Sequence, residues 1–564
     1  SIRKFTTMDK AQAAYARWCA QVTDETLLAQ LRTMDEAAVQ DAFARELAFG
    51  TGGLRGVLGA GTDRMNVYVV RRATQGLANY LKAQGLPLRA AIAHDSRLCG
   101  REFAEAAACV LAANGIRVFL YPRLEPTPAL SFAVRYFSCG AGICVTASHN
   151  PAQYNGYKVY GSDGCQITQD AAAAIETEIA RLDCFADVKD CDYEAACRDG
   201  RIEAVSDAAL TAYLDAVYAQ RVTNEPCGDL RVVYTPLCGS GLECAQAMLR
   251  RLGVADVTVV PSQRAPDGHF PTCPYPNPEI REAMEEGLKL CEALHPDLLI
   301  GTDPDCDRCG VAARTREGGY RLISGNEMGA LLLNFLCMER QKAGTMPDAP
   351  VAVTTVVSTG LADRIAENYG VELRRTLTGF KYIGEQIGLL EREGRAGRFI
   401  FGFEESYGYL SGSHVRDKDG VNALMLICEM THVYKRSDIL LPEALDALYA
   451  AYGWYENGQL VHEYPGAAGA ARMRGILQRL REDPPAQLGN ETVTAVRDYA
   501  PGLDGLPKTD MLELRLEHGR VQLRPSGTEP KLKCYLEICA PSQQEAGARY
   551  AALAEDCRAQ WMEE

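Results

Sequence analysis

Ser148 stands in Cys144-Val-Thr-Ala-Ser-His-Asn-Pro151, where an apolar, β-branched run stops at a polar turn. Residues 143–146 read as a buried strand, and Asn150-Pro151 and Asn155-Gly156 are turn signals. Ser148 is therefore expected on a tight loop at a strand's carboxyl end, the edge where open α/β sheets bind ligands. A serine held there, with His149 beside it and Lys158 ten residues on, suits a covalent nucleophile or phosphoryl carrier.

Three further loops follow apolar strands. In Gly301-Thr-Asp-Pro-Asp-Cys-Asp-Arg-Cys-Gly310, Asp303, Asp305 and Asp307 alternate, so their carboxylates can converge on a hard divalent cation. An EF-hand would need Gly and Glu where Arg308 and Arg314 stand, so that reading fails. Three carboxylates with an adjacent Arg suit Mg²⁺ that also touches a phosphate. Gly402-Phe-Glu-Glu-Ser-Tyr-Gly408 offers Glu404 and Ser406 to paired sugar hydroxyls, and Arg416 and Lys418 follow in His414-Val-Arg-Asp-Lys. Arg524-Pro-Ser-Gly-Thr-Glu-Pro-Lys531 combines an Arg, two hydroxyls and a Gly-exposed backbone, the makings of a phosphate cradle, with Lys531 and Lys533 on one face of the next strand.

The elements that must carry these loops repeat a rhythm. Residues 8–48 have helical spacing, and a Gly-rich loop follows at Phe49-Gly-Thr-Gly-Gly-Leu-Arg-Gly-Val-Leu-Gly-Ala-Gly61. Strands at 89–93, 117–121 and 141–146 alternate with helices at 72–83 and 101–113, as in βαβ crossovers. The rhythm restarts with strands at 230–234, 257–260 and 298–301 and helices at 241–252 and 279–293. It starts once more with helices at 326–337 and 360–369 and strands at 351–357 and 398–401. The last segment differs: strands at 511–516, 519–523 and 531–539 lead into a helix at 542–561, an α+β pattern. The expected fold is α/β, three tandem similar domains with mixed sheets plus a C-terminal α+β domain. The boundaries expected are 1–207, 208–318, 319–455 and 456–564.

At 564 residues the chain is too long for one core. Against 74 Asp and Glu it carries 59 Lys and Arg, a formal net charge of −15 without a basic block, which argues against nucleic acid as partner. Its 21 cysteines are odd in number and irregularly spaced, which points to a reducing, cytoplasmic setting. Cys306 and Cys309 form a Cys-x-x-Cys without a second pair, so zinc is not expected. Ser1-Ile-Arg-Lys-Phe-Thr lacks the apolar core of a signal peptide, and no 18-residue apolar run occurs.

Thr146-Ala-Ser-His-Asn-Pro, Asp303-Pro-Asp-Cys-Asp-Arg, Gly402-Phe-Glu-Glu-Ser and Arg524-Pro-Ser-Gly-Thr, in that order, resemble the α-D-phosphohexomutase superfamily. The resemblance runs from Phe49 to about Tyr535, and Thr378-Gly-Phe-Lys381 and Gly325-Asn-Glu327 also fit. It is nearest the longer bacterial branch that holds phosphoglucomutases, phosphopentomutases and glucose-1,6-bisphosphate synthases. The resemblance implies four domains with one motif each, arranged around a central active-site cleft, and a phosphoryl group carried on Ser148. It implies interconversion of α-D-glucose 1-phosphate and glucose 6-phosphate through glucose 1,6-bisphosphate, which is both intermediate and activator. Phosphopentomutase, phosphomannomutase and bisphosphate synthase would share the same site. Mg²⁺ would be held by Ser148, Asp303, Asp305 and Asp307. Arg55, Arg308 and Lys158 would stabilise charge, and Lys158 or His149 would move the hydroxyl proton. Glu404, Ser406, Gly379, Lys381 and Lys418 would hold the sugar; Arg524, Ser526, Gly527, Thr528 and Lys533 would grip the idle phosphate. Residues 483–509 read as a flexible connection on which the last domain closes. The expected partner is a small phosphosugar, neither nucleic acid nor membrane, with the chain a monomer or homodimer.

Overall fold

The computed structural model describes residues 2–526 and 530–562; Gly527 and Thr528, expected in the phosphate grip, lie outside them. The described residues form two compact units. The first comprises residues up to Ile323 with Ile383–Gly397 and Gly408–His432; the second comprises Ser324–Tyr382, Arg398–Tyr407 and the chain from Val433 on.

The first unit opens with helices Ile2–Gln21, Glu25–Arg32 and Glu36–Phe43, the last two N-capped by Asp24 and Asp35. Trp18, Leu31 and Phe43 close a small core between them. A six-stranded mixed sheet follows, ordered Gly53–Val57, Tyr154–Gly161, Ala141–Val145, Arg89–His94, Arg117–Leu120 and Ile202–Ala204. Its parallel core and the covering helices Val67–Ala83 and Gly100–Ala113 match the expected crossovers. The edge strand Gly53–Val57 corrects the reading of this segment as a loop. Gly53 has φ +145° and crosses so close to its partner that a Cβ would lie 1.8 Å from the Tyr157 carbonyl oxygen, so the glycines that signal a loop permit pairing here.

A second sheet runs Tyr320–Ile323, Cys309–Arg314, Leu298–Thr302, Arg231–Thr235 and Asp256–Val259. The last three strands are parallel, and Leu298–Thr302 and Cys309–Arg314 form an antiparallel pair. The aspartate loop is the turn between that pair, a tighter hold than a strand-to-helix connection provides.

In the second unit, strands Glu372–Thr376, Val351–Thr355 and Phe399–Glu404 lie parallel beside helices Gly325–Ala343 and Leu361–Tyr369. The C-terminal part is a six-stranded antiparallel sheet backed by the helix Gln543–Trp561. The expected flexible connection at 483–509 is corrected: Gln487–Leu488 and Glu491–Asp498 are strands of this sheet. Tyr499, Leu503 and Leu506 pack with Val356, Val357 and Leu377. Among the described residues no helix is long and apolar enough to cross a membrane.

Candidate active site

Ser148 sits where the strand Ala141–Val145 ends, buried and at φ +54°. A non-glycine residue in that region carries about 1–3 kcal/mol of strain. Cys306 and Tyr407, in the aspartate and glutamate loops, share the feature at φ +54° and +65°. The backbone N–H of Ser148 donates to Thr146 Oγ1 over 2.9 Å, and that hydroxyl donates to Asp95 Oδ2 over 2.6 Å. Aimed this way, Ser148 Oγ lies 3.1 Å from Asp303 Oδ2 and 3.3 Å from Asp305 Oδ1.

One carboxylate oxygen from each of Asp303, Asp305 and Asp307 lies within 4.8 Å of the other two, and all three residues are buried. Asp303 Oδ1 accepts the N–H groups of Asp307 and Arg308 at 3.1 and 3.0 Å, which folds the loop on itself. Asp305 Oδ2 accepts Thr127 Oγ1 at 2.8 Å and Lys158 Nζ at 2.9 Å. Both Asp307 oxygens are buried without a hydrogen-bond donor among the described residues; Lys418 Nζ lies at 3.3 Å and Lys158 Nζ at 3.8 Å. Burial and the charges of Asp305 and Asp307 push the Asp303 carboxyl well above its usual range, whereas burial of Asp305 is outweighed by Lys158 together with the Thr127 hydroxyl and Lys418, which hold it below that range. Lys158 and Lys418 offset part of the charge of Asp305 and Asp307, and the raised Asp303 carboxyl marks the burial and repulsion that these two cations leave uncompensated. The donor set, all oxygen and completed by a serine hydroxyl, fits a hard divalent cation.

Around the cluster the structure brings together most of the expected catalytic residues. Lys158 keeps its proton despite burial, because Asp305 and Asp307 face it. Burial, with the charges of Arg308 and Arg55, holds the His149 imidazole neutral, and its Nδ1 is buried with no hydrogen-bond partner among the described residues. Arg308 pairs with Glu279 at 2.7 Å, and Arg55 lies opposite Gly156 in the strand pairing. Lys418, assigned by resemblance to the sugar, stands at the carboxylates. Burial pushes the thiols of Cys306 and Cys309 far up, away from the thiolate form that binds metal.

The sugar and phosphate loops lie in the second unit. Glu404 Oε1 accepts the Gly379 N–H at 2.7 Å, while neighbouring Glu405 is held by Thr355 and Ser358 hydroxyls. Ser406 follows in the turn, and Lys381 Nζ lies 5.3 Å from the Tyr382 ring centre. Arg524 Nη2 donates to the Tyr535 hydroxyl at 3.3 Å and pairs across the strands with Lys533; Ser526 N–H closes the turn on the Lys531 carbonyl. Burial and Glu405 push the Tyr535 phenol up to about 12, with Glu404 adding to it, so the sugar and phosphate loops share one electrostatic neighbourhood.

Thr127 and Arg97 were not singled out from the sequence, although both matter here. Thr127 holds Asp305 by side chain and by backbone. Two residues before it, Glu125 is buried and pushed up to about 7 by burial, against the opposing pull of Arg123 at 3.0 Å. Its folded pKa lies above the ordinary 4.5, so the stability it contributes is full below about pH 4.5 and is lost as pH rises through about 7. The expected loss is about 3 kcal/mol. Melting curves from pH 5 to 8 should fall more steeply for wild type than for Glu125→Gln; parallel curves would contradict this.

Comparison with known proteins places all four parts of the chain. Models of phosphoglucomutase/phosphomannomutase alpha/beta/alpha domains I, II and III match residues 46–184, 211–318 and 324–452. The C-terminal domain of the same family matches residues 477–555. A phosphoglucomutase of Staphylococcus epidermidis is 35% identical over 92% of this chain and 95% of its own. One of Staphylococcus aureus is 33% identical over 97% of this chain and 98% of its own. Among solved structures, the open form of the Paramecium phosphoglucomutase parafusin covers 92% of this chain and 95% of its own at TM-score 0.70 and 19% identity. A Burkholderia thailandensis member of the phosphoglucomutase/phosphomannomutase family covers 91% of this chain and 97% of its own at TM-score 0.66 and 20% identity, and both structures speak to the fold alone.

Proposed function

Because the chain belongs to the phosphoglucomutase/phosphomannomutase family, we propose that it is a phosphoglucomutase, interconverting α-D-glucose 1-phosphate and glucose 6-phosphate. The observation that carries the reading is the approach of Ser148 Oγ to Asp303 and Asp305, a nucleophile placed at a buried carboxylate cluster.

Ser148 carries the phosphoryl group. The free hydroxyl of the bound sugar phosphate attacks its phosphorus; the new O–P bond forms as the Ser148 Oγ–P bond breaks, giving glucose 1,6-bisphosphate. The bisphosphate turns over in the site, and Ser148 takes back the other phosphoryl group, which makes the exchange intramolecular in net effect. The hydroxyl proton needs an acceptor, and His149 and Lys158 are the two candidates beside Ser148: His149 starts neutral, but burial, Arg308 and Arg55 oppose its protonated form, whereas Lys158 starts charged against Asp305 and Asp307. Lys158, kept charged, faces the transferring group together with Arg308 and Arg55. Asp303, Asp305, Asp307 and the Ser148 oxygen would hold Mg²⁺, which would supply neutralising charge at the phosphoryl oxygens. Glu404 and Ser406, with Gly379 and Lys381, receive the sugar hydroxyls, and Arg524, Ser526 and Lys533 the phosphate that does not react, while Lys418, 3.3 Å from Asp307, adds its charge at the carboxylates. The cysteines, all free thiols, fit a reducing cytoplasm.

The test is ³¹P NMR of α-D-glucose 1-phosphate with the chain, Mg²⁺ and a trace of glucose 1,6-bisphosphate. A growing glucose 6-phosphate signal is expected. A flat spectrum alongside turnover of mannose or pentose 1-phosphate would move the assignment to those sugars, and release of inorganic phosphate alone would overturn the mutase.

A further inference from the structure

Arg97 follows the strand Arg89–His94 in Asp95-Ser-Arg97, and its side chain is fully buried. Its guanidinium is spent on one loop. Nη2 donates to the carbonyls of Ser148 and Asn150 at 2.6 and 2.5 Å, and Nη1 to those of Pro151 and Tyr154 at 3.0 and 3.1 Å. The planar fork of an arginine can serve acceptors on two sides at once, which a lysine cannot. Asp95, 3.5 Å from Nε, is the counter-charge and also accepts the Thr146 hydroxyl that receives the Ser148 N–H. The peptide groups before and after Ser148 are thus both fixed by the Asp95/Arg97 pair, one through Thr146 and one directly.

The other side of the guanidinium is covered from the second sheet's domain. The Phe270 ring centre lies 5.2 Å from the Arg97 guanidinium carbon, and Phe270 is itself fully buried at φ +46°. Gly268 approaches the 96–98 backbone so closely that a Cβ would lie 2.6 Å from the Leu98 nitrogen and 2.9 Å from the Ser96 oxygen. Residues 268–270 therefore press on the segment that holds Arg97, and the domain bearing the carboxylates also fixes the serine loop that meets them.

We propose that Arg97, clamped by Phe270, is a positioning residue for the phosphoryl carrier. It holds residues 148–154 so that Ser148 keeps the left-handed backbone from which Oγ reaches Asp303 and Asp305. The proposal rests on Ser148 carrying the phosphoryl group. A buried arginine whose hydrogen bonds all go to carbonyls, with its counter-charge Asp95 at 3.5 Å, costs desolvation that a neutral contact would avoid, and fixing a loop in a conformation L side chains avoid explains its presence.

Arg97→Lys and Phe270→Leu, assayed beside wild type, test it. Each is examined by thermal melting, by KM and kcat for α-D-glucose 1-phosphate, and by intact mass after timed exposure to glucose 1,6-bisphosphate. Since misplacing a reacting group by an ångström costs about 100-fold, kcat should fall roughly 100-fold in Arg97→Lys and about 10-fold in Phe270→Leu. KM should stay within about two-fold, and phosphorylation of Ser148 should slow by the same factor as kcat. Wild-type kcat in either folded variant would overturn the proposal, as would a loss that only tracks the folded fraction. If Arg97→Lys does not fold, Phe270→Leu decides. Absence of phosphorylation in wild type would remove the premise and the proposal with it.

Discussion

Ser148→Ala is expected to lower mutase turnover by roughly 10⁴-fold or more, the scale on which a covalent nucleophile is lost, while the chain stays folded. Both halves follow from the local geometry. The Ser148 hydroxyl makes its contacts to Asp303 and Asp305 alone among the described residues. Removing it forfeits about 1 kcal/mol of hydrogen bonding and leaves the backbone anchors at Thr146 and Arg97 in place. Melting should shift by no more than a few degrees, and KM should change little, since the substitution leaves the proposed sugar and phosphate loops untouched. Intact mass after exposure to glucose 1,6-bisphosphate should show the phosphoryl adduct in wild type and none in the variant. Retained turnover in Ser148→Ala, or a phosphoryl adduct on another residue, would contradict the carrier role.

The loops that matter were legible where their chemistry is local. Alternating aspartates at 303, 305 and 307, the turn residues after Ser148 and the strand before each loop all lie within a few residues, and the structure brings the serine and the aspartates together. What escaped was whatever the fold brings from a distance. Thr127 at Asp305, Lys418 at Asp307 and Phe270 over Arg97 come from separate segments, and spacing along the chain carries no record of such meetings. Two segments were misread for a different reason. Gly53–Val57 is a strand in which glycine serves close pairing rather than a turn. Glu491–Asp498 presents so little buried surface that its alternation is faint, and with Pro484-Pro485 just before it the stretch reads as a linker.

Asp303→Asn should separate what the carboxylate does for the fold from what it does for catalysis. In Asp303→Asn the side-chain oxygen still accepts the Asp307 and Arg308 N–H groups that close the loop, so the turn survives. The charge does not, and in the metal-free chain that charge is a burden: burial and the facing Asp305 and Asp307 oppose it. With EDTA present the variant should therefore melt at or above wild type. Added Mg²⁺ should reverse the order. A cation bound only by the folded state raises stability by RT ln(1 + [L]/Kd), about 2.7 kcal/mol at a hundred times Kd, and the variant, short of one ligand charge, should gain far less at the same concentration. Turnover should drop about 10²–10³-fold, the range for losing one preorganised electrostatic partner of a transferring group. Chelation of wild type should abolish turnover, and Mg²⁺ should restore it. Equal Mg²⁺-induced shifts in wild type and Asp303→Asn would show that the aspartates are not the cation's ligands. A variant that melts well below wild type in EDTA would show that the three buried charges are balanced by Lys158 and Lys418 without a cation.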